Sequence, residues 1–177
     1  MNRSQLEHLL RAAGAIIEES DFIIVGSQAI LGQYPNAPLA MLTSMEADMV
    51  AANHPDRTEV LNVIGDLSNF HDTFGYYVDP VSESTAILPQ GWRDRLVSVA
   101  SPSTNGVTGH CLHPHDLMIS KIAAGREKDL DFAKLMVVHK MVDREEVLKL
   151  AMTIAATVED PERPRRVTAR LRRLFDE

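Results

Sequence analysis

The stretch that most constrains what this chain can fold into is Phe22 to Met49, FIIVGSQAILGQYPNAPLAMLTSMEADM. A short apolar run, Phe22-Ile23-Ile24-Val25, stops at Gly26-Ser27 and gives way to helical spacing. This predicts a strand, a small-residue turn and a helix over about Ser27 to Gln33. Such a turn can receive a phosphate: the first N–H groups of a helix have no intrahelical partner, and the dipole favours negative charge there. Gly26 lets a ligand approach the chain closely. Further on, Glu46-Ala47-Asp48-Met49 places two carboxylates two positions apart. In a strand over about 46–51 they share one face, while Ala47 and Met49 face the core. Adjacent carboxylates repel and are held together by a cation or a proton. Hard oxygen donors of this kind suit magnesium or manganese, which a nucleoside triphosphate helps to hold. The alternative is a solvent-facing acidic pair on an edge strand.

At 177 residues the chain has room for one domain with a real core, or for a core and a helical extension. No window approaches the roughly 18 uninterrupted apolar residues of a membrane span. The N-terminal segment, MNRSQLEHLLRAAGAIIEES, reads as an amphipathic helix over 4–19 rather than a signal peptide. The lone Cys111 excludes an internal disulfide, and a cytoplasmic setting is expected. A net charge of −7 argues against broad non-specific DNA binding. The sign is uneven, since residues 160–177 carry six Arg against four acids.

Asp56 is expected to begin a helix with Val60, Leu61, Ile64 and Leu67 on one face. Tyr76-Tyr77-Val78 reads as a third strand ended by Asp79-Pro80. Arg95 to Val99 and Val107 to Leu112 supply two more. The chain then turns helical over about 114–124, 126–140, 143–156 and 162–175. Pro114 stands at a helix N1 position, and Asp143 with Glu146 has the form of a capping box. The order of elements is α+β.

This succession, a strand ending in Gly26-Ser27, a helix and an acidic-x-acidic strand, continues into the block from His115-Asp116-Leu117 to Phe132. It resembles the core of the nucleotidyltransferase superfamily. More closely, it is similar to small bacterial nucleotidyltransferase-like proteins of unknown function, related to AbiE-type toxins and minimal nucleotidyltransferases. The resemblance covers most of the chain. It implies a nucleotidyltransferase-like mixed β-sheet flanked by helices over 1–112 and a helical region over 113–177 packed on that core. It further implies metal-dependent transfer of a nucleotide from a nucleoside triphosphate to a protein hydroxyl, a tRNA end or a small molecule, with membership of a toxin–antitoxin pair as one setting. Carried over residue by residue, Glu46 and Asp48 would hold magnesium or manganese. Asp79 would complete the site and orient the attacking hydroxyl, although Asp66, Asp72 and Glu83 are nearby in sequence and Asp79 is also a plausible turn former. Gly26 and Ser27 would cradle phosphate, with Lys121 as a phosphate contact, Arg126 and Lys128 as further cations and Asp129 as the residue that positions them. Glu46 stands where many active relatives have Asp, which moves the carboxylate by about one methylene. That departure motivates the alternative of a catalytically degenerate binding or regulatory protein.

Other clusters admit two readings each. In SKIAAGREKDLDFAKL, one continuous helix would put Lys121, Gly125 and Lys128 on a shared face; alternatively Gly125 ends one helix and the next begins after it. His110, Cys111, His113 and His115 invite a zinc reading, against a strand end running into a helix started by Pro114. Trp92 is either a base-stacking ring or a partly buried anchor. The Arg-rich C-terminus, with Val167, Leu171 and Leu174 at helical spacing, reads as a docked helix whose basic outer face could meet RNA or an acidic partner chain.

Overall fold

The apolar repeat near the N-terminus forms helix α1 (Arg3–Ile17), which buries Leu6, Leu9, Leu10, Ala13 and Ile17. Asn2 caps it, its side chain accepting from the Gln5 amide while the Gln5 side chain accepts from Asn2 N. The computed structural model describes residues 1–176. Five strands follow from the apolar runs: β1 (Asp21–Ile24), β2 (Glu46–Ala51), β3 (Tyr77–Pro80), β4 (Val97–Val99) and β5 (Thr108–Cys111). They form one mixed sheet in the order β3-β2-β1-β5-β4. β1 runs antiparallel to β2 and parallel to β5, and β2 runs parallel to β3. Phe22, Ile24, Ala47, Met49 and Val78 are fully buried, which sets the sheet's register through its apolar side chains.

The chain divides into two compact units, one comprising 1–85 and 96–112, the other 86–95 and the residues from His113 on. One boundary falls after Leu112. Residues 86–95, expected with the first part, group with the helices through a Pro89–Ile154 bridge and the Gln90 amide donating to Thr153 Oγ1 at 3.0 Å.

Within the first unit the helix expected from Ser27 to Gln33 is a 3₁₀ turn, Ser27–Ala29, followed by one α turn, α2 (Ile30–Gln33). A short helix, α3 (Asn69–Phe74), was not foreseen; Ser68 caps it by accepting from the His71 amide, and Gly75 ends it at φ 75°. The α-helix expected from Asp56 is instead a 3₁₀ helix over Pro55–Ile64. Its three-residue repeat buries Thr58, Leu61 and Ile64 and turns Val60 and Val63 outward. Thr58 fixes it to the sheet by accepting from Ala51 N at 3.0 Å. Leu67, expected on the buried face, is 85% exposed.

The third strand also differs from expectation. It includes Pro80 rather than ending before it. β3 is an edge strand, and the amides of Tyr77 and Val81 donate to β2, so alternation turns position 80 toward the open edge. A proline there forfeits no ladder bond.

The second unit contains α4 (Pro114–Ala124), α5 (Glu127–Val138), α6 (Arg144–Ala151) and α7 (Arg163–Asp176). Gly125 adopts φ 68° and ends α4, so Lys121 and Lys128 lie on separate helices. Asp143 caps α6 by accepting from the Glu146 amide at 2.8 Å. α7 buries Val167, Thr168, Leu171 and Leu174. Among the described residues, no helix is long and apolar enough to cross a membrane.

Candidate active site

β2 and β3 lie side by side and parallel, so residues opposite each other present side chains to the same face. Their register sets Glu46 against Tyr77 and Asp48 against Asp79. The buried faces of the same strands carry Ala47, Met49 and Val78. Sheet pairing therefore brings Asp79 beside Glu46 and Asp48, more than thirty positions earlier in the chain.

Asp48 also reaches the end of β1. Its backbone carbonyl accepts from Val25 N at 3.1 Å. A Cβ placed on Gly26 would fall 1.4 Å from Asp48 Oδ2, so the carboxylate occupies the space a side chain would need. Gly26 itself has an extended backbone, φ −88° and ψ −162°, and close approach is the reason for glycine there. Ser27 begins the following turn. The 3₁₀ and α turns that follow are short and carry less dipole than a regular helix would.

The electrostatics follow from this crowding. Burial, first, and the Glu46 carboxylate, second, raise the Asp79 pKa; a hydrogen bond with Asp48 works in the opposite sense, and Asp66 adds further repulsion. The Tyr77 hydroxyl donates to Glu46 Oε2 at 3.1 Å. Its pKa is pushed up to about 12 by burial, by that hydrogen bond and by the charges of Glu46, Asp66 and Asp79. From the sequence Tyr77 was read only as part of a strand, and Asp66 only as a nearby competitor of Asp79. A tyrosine two positions before Asp79 on a strand was a signal available there, because period-two alternation places both on one face.

Glu46 thus points its carboxylate at Tyr77, while Asp48 and Asp79 form a hydrogen-bonded pair beside Gly26. Among the described residues, no three His, Cys, Asp or Glu side chains converge closely enough to hold an ion by themselves. The donor set nonetheless fits magnesium or manganese: Mg²⁺ commonly takes one or two carboxylates and completes its octahedron with water and substrate phosphate.

The second unit disposes of the downstream block differently. Lys121 is nearly buried and its ammonium donates to Asp129 Oδ1 at 2.9 Å. Arg126 donates from Nε to Asp129 Oδ2 at 2.6 Å and from Nη2 to Oδ1 at 3.3 Å. Lys128 is exposed on the first turn of α5. Despite burial, which acts to raise it, the Asp129 pKa is lowered by its hydrogen bonds to Arg126 and Lys121.

The histidine cluster disperses to four uses. His110 Nε2 lies 2.8 Å from Asp21 Oδ1, and Cys111 is enclosed, its thiol pushed up to about 12 by burial. His113 caps α4 by accepting from the His115 amide, and His115 Nε2 accepts from Asp143 N at 3.0 Å. Asp116, fully buried, receives two hydrogen bonds from Arg95, at 2.7 and 3.0 Å. Trp92 is half-buried with the Arg93 guanidinium 4.5 Å from its ring centre.

The model of a family described as "Nucleotidyltransferase of unknown function (DUF6036)" matches residues 4–173. No curated protein and no solved structure matches significantly.

Proposed function

Since the chain belongs to the DUF6036 family of nucleotidyltransferases of unknown function, we propose that it transfers a nucleotide from a nucleoside triphosphate, with magnesium or manganese held by Asp48 and Asp79. The observation that carries this reading is the register of β2 on β3, which pairs those two aspartates next to Gly26. The ion would neutralise charge on the triphosphate, and Asp48 and Asp79 would fix where that charge sits. Ser27 would lie against a phosphate; the space beside Gly26 is taken by the Asp48 carboxylate, so the glycine serves that close approach instead. Asp79 would complete the site and orient an acceptor hydroxyl. Glu46 would be oriented at the site by the hydrogen bond it accepts from Tyr77. The acceptor classes to offer are a protein hydroxyl, a tRNA end and a small-molecule alcohol, with a toxin–antitoxin partner among the protein candidates.

Lys121 and Arg126 are already satisfied by Asp129, so the phosphate role expected of this block is not assigned to them. The engagement of Glu46 by Tyr77 favours a second reading, a catalytically degenerate member that binds nucleotide or a partner without transferring.

The test is a thermal-shift titration of the wild type and Asp48→Asn with each triphosphate, with and without manganese. A ligand at about a hundred times its dissociation constant adds about 2.7 kcal/mol to stability. The expected result is a manganese-dependent rise for the wild type that Asp48→Asn loses while keeping its melting point without ligand. A shift retained in the variant would count against the site. A shift without incorporation of labelled nucleotide into any acceptor class would select the degenerate reading.

A further inference from the structure

The two compact units differ sharply in charge. The first holds twelve Asp and Glu against Arg3, Arg11 and Arg57, a net −9, and the second has the remaining +2. The second also contains a cavity of about 300 Å³, with an apolar floor from Ile122, Leu130 and Leu174 and a rim of Lys134, Arg170 and Arg173. Arg170 lies over Gly125, where a Cβ would come within 2.9 Å of its Nη1, and it donates weakly to the Ile122 carbonyl at the end of α4. Among the described residues Lys134 and Arg173 have no ion pair or hydrogen bond, and both are exposed. Three cations gathered at an apolar hollow repel one another, and an acidic partner with an aliphatic side chain would relieve both costs.

The first unit presents such a feature. The three-residue repeat of the 3₁₀ helix Pro55–Ile64 turns Val60 and Val63 outward, 49% and 60% exposed, beside Glu59. The chain then projects Leu67, 85% exposed and at φ 58°, a left-handed conformation that a leucine rarely adopts. Its amide is held by Asp66 Oδ1 at 2.9 Å, so a carboxylate flanks the exposed leucine. The Leu67 amide also donates to His71 Nδ1 at 3.2 Å, and Asp66 Oδ1 lies 3.1 Å from the same ring nitrogen, so the turn is fixed at the start of α3 while the leucine side chain stays in solvent.

We propose that this acidic, aliphatic surface of one copy docks into the cationic cavity of a second copy, with Leu67 entering the apolar floor and Glu59 and Asp66 facing Lys134, Arg170 and Arg173. The contact is heterologous, because different surfaces meet, so it extends into a chain or closes into a ring. It is weakened by salt, since its charges lie at the exposed rim. An RNA strand is the less favoured occupant: the cavity offers aliphatic side chains and no aromatic ring on which a base would stack.

The experiment is sedimentation velocity of the full chain over a concentration series at low and high salt, with two variants. Lys134→Glu/Arg173→Glu spoils the cavity and leaves the projecting surface intact; Leu67→Asp does the reverse. All three positions are exposed, and circular dichroism confirms folding. The wild type is expected to self-associate at low salt and to dissociate at high salt, and each variant alone to weaken association about tenfold or more. Mixed together, the two variants are expected to form a 1:1 complex that grows no further, because each retains one complementary half. A wild type that stays monomeric at low salt, an association unchanged in the cavity variant, or variants that do not complement would each overturn the proposal. So would a monomer that instead captures a single-stranded oligonucleotide through Lys134 and Arg173.

Discussion

Asp79 in β3 and Asp129 in α5 are the same residue under the same rules, and their surroundings drive them in opposite directions. Asp79 faces Glu46, Asp48 and Asp66, and its pKa rises. Asp129 is completely buried and receives Lys121 and Arg126, and its pKa falls. Burial opposes ionisation at both, so the difference lies in the partners. The helical block has its counter-charges built into the protein. The sheet face lacks them, and that shortage is what a cation or a triphosphate-bound metal would supply. A carboxylate perturbed by like charges is a functional-site candidate, whereas an ion-pair network such as that around Asp129 perturbs a pKa for structural reasons.

The comparison breaks most directly at Asp129. Removing one member of a buried ion pair leaves the other uncompensated and costs about 3–5 kcal/mol. Asp129→Ala is therefore expected to lose that much in urea unfolding, because Lys121 is nearly buried too. Lys121→Met should lose less, since Arg126 still satisfies the carboxylate. A loss below about 1 kcal/mol for Asp129→Ala would mean the network is solvated, and Lys121 would again be available to a ligand.

Gly26→Ala is the next in size. The new methyl must displace the Asp48 carboxylate, and overpacking of this kind costs about 1–3 kcal/mol. Its more informative effect is on ligand binding: the manganese-dependent thermal shift should vanish with Asp48 pushed aside. A variant that keeps the shift would separate nucleotide binding from the Gly26 turn.

Which parts of this were legible in the sequence follows from the range of the interactions involved. β2 was placed at its observed bounds, because period-two alternation in EADMVA is a local signal. The same alternation put Glu46 and Asp48 on one face. That Asp79 stands opposite Asp48 depends on β3 choosing β2 as its parallel neighbour, a pairing no local pattern records. The 3₁₀ helix at Pro55–Ile64 was read as α because Val60, Leu61, Ile64 and Leu67 fit a 3.6-residue period, while Thr58, whose hydroxyl joins the helix to β2, looked merely polar. For the Lys121 block, the cations and the acid were visible in the sequence, but not that they satisfy each other. Gly125 decides this by ending α4 in a left-handed turn.

Asp79→Asn should remove repulsion at the crowded sheet face without breaking a favourable pair. Stability is expected to hold or to rise by under about 1 kcal/mol once solvent screening is allowed for. The manganese-dependent response to triphosphate should nevertheless be lost. A destabilised Asp79→Asn would show that the carboxylate is held by favourable partners, and the contrast with Asp129 would then fail.

The smallest effect is the pH profile, measured by chemical unfolding from pH 3 to 7 with a chelator present. A carboxyl with a raised folded pKa gives stability that is fully present below its ordinary value of 3.8 and lost as pH rises through the folded value. Asp79→Asn should therefore match the wild type at the acid end and gain on it as pH climbs above 3.8. The depressed Asp129 works in the other sense: its contribution is present above 3.8 and is lost as pH falls through the lowered folded value. Asp129→Asn should therefore fall furthest behind the wild type at neutral pH and converge on it in acid. Difference curves of opposite slope would support the assignment of one aspartate to the fold and the other to the site. Curves of the same sign would place both carboxylates in one structural role, and the case for a cation between Asp48 and Asp79 would lose its electrostatic basis.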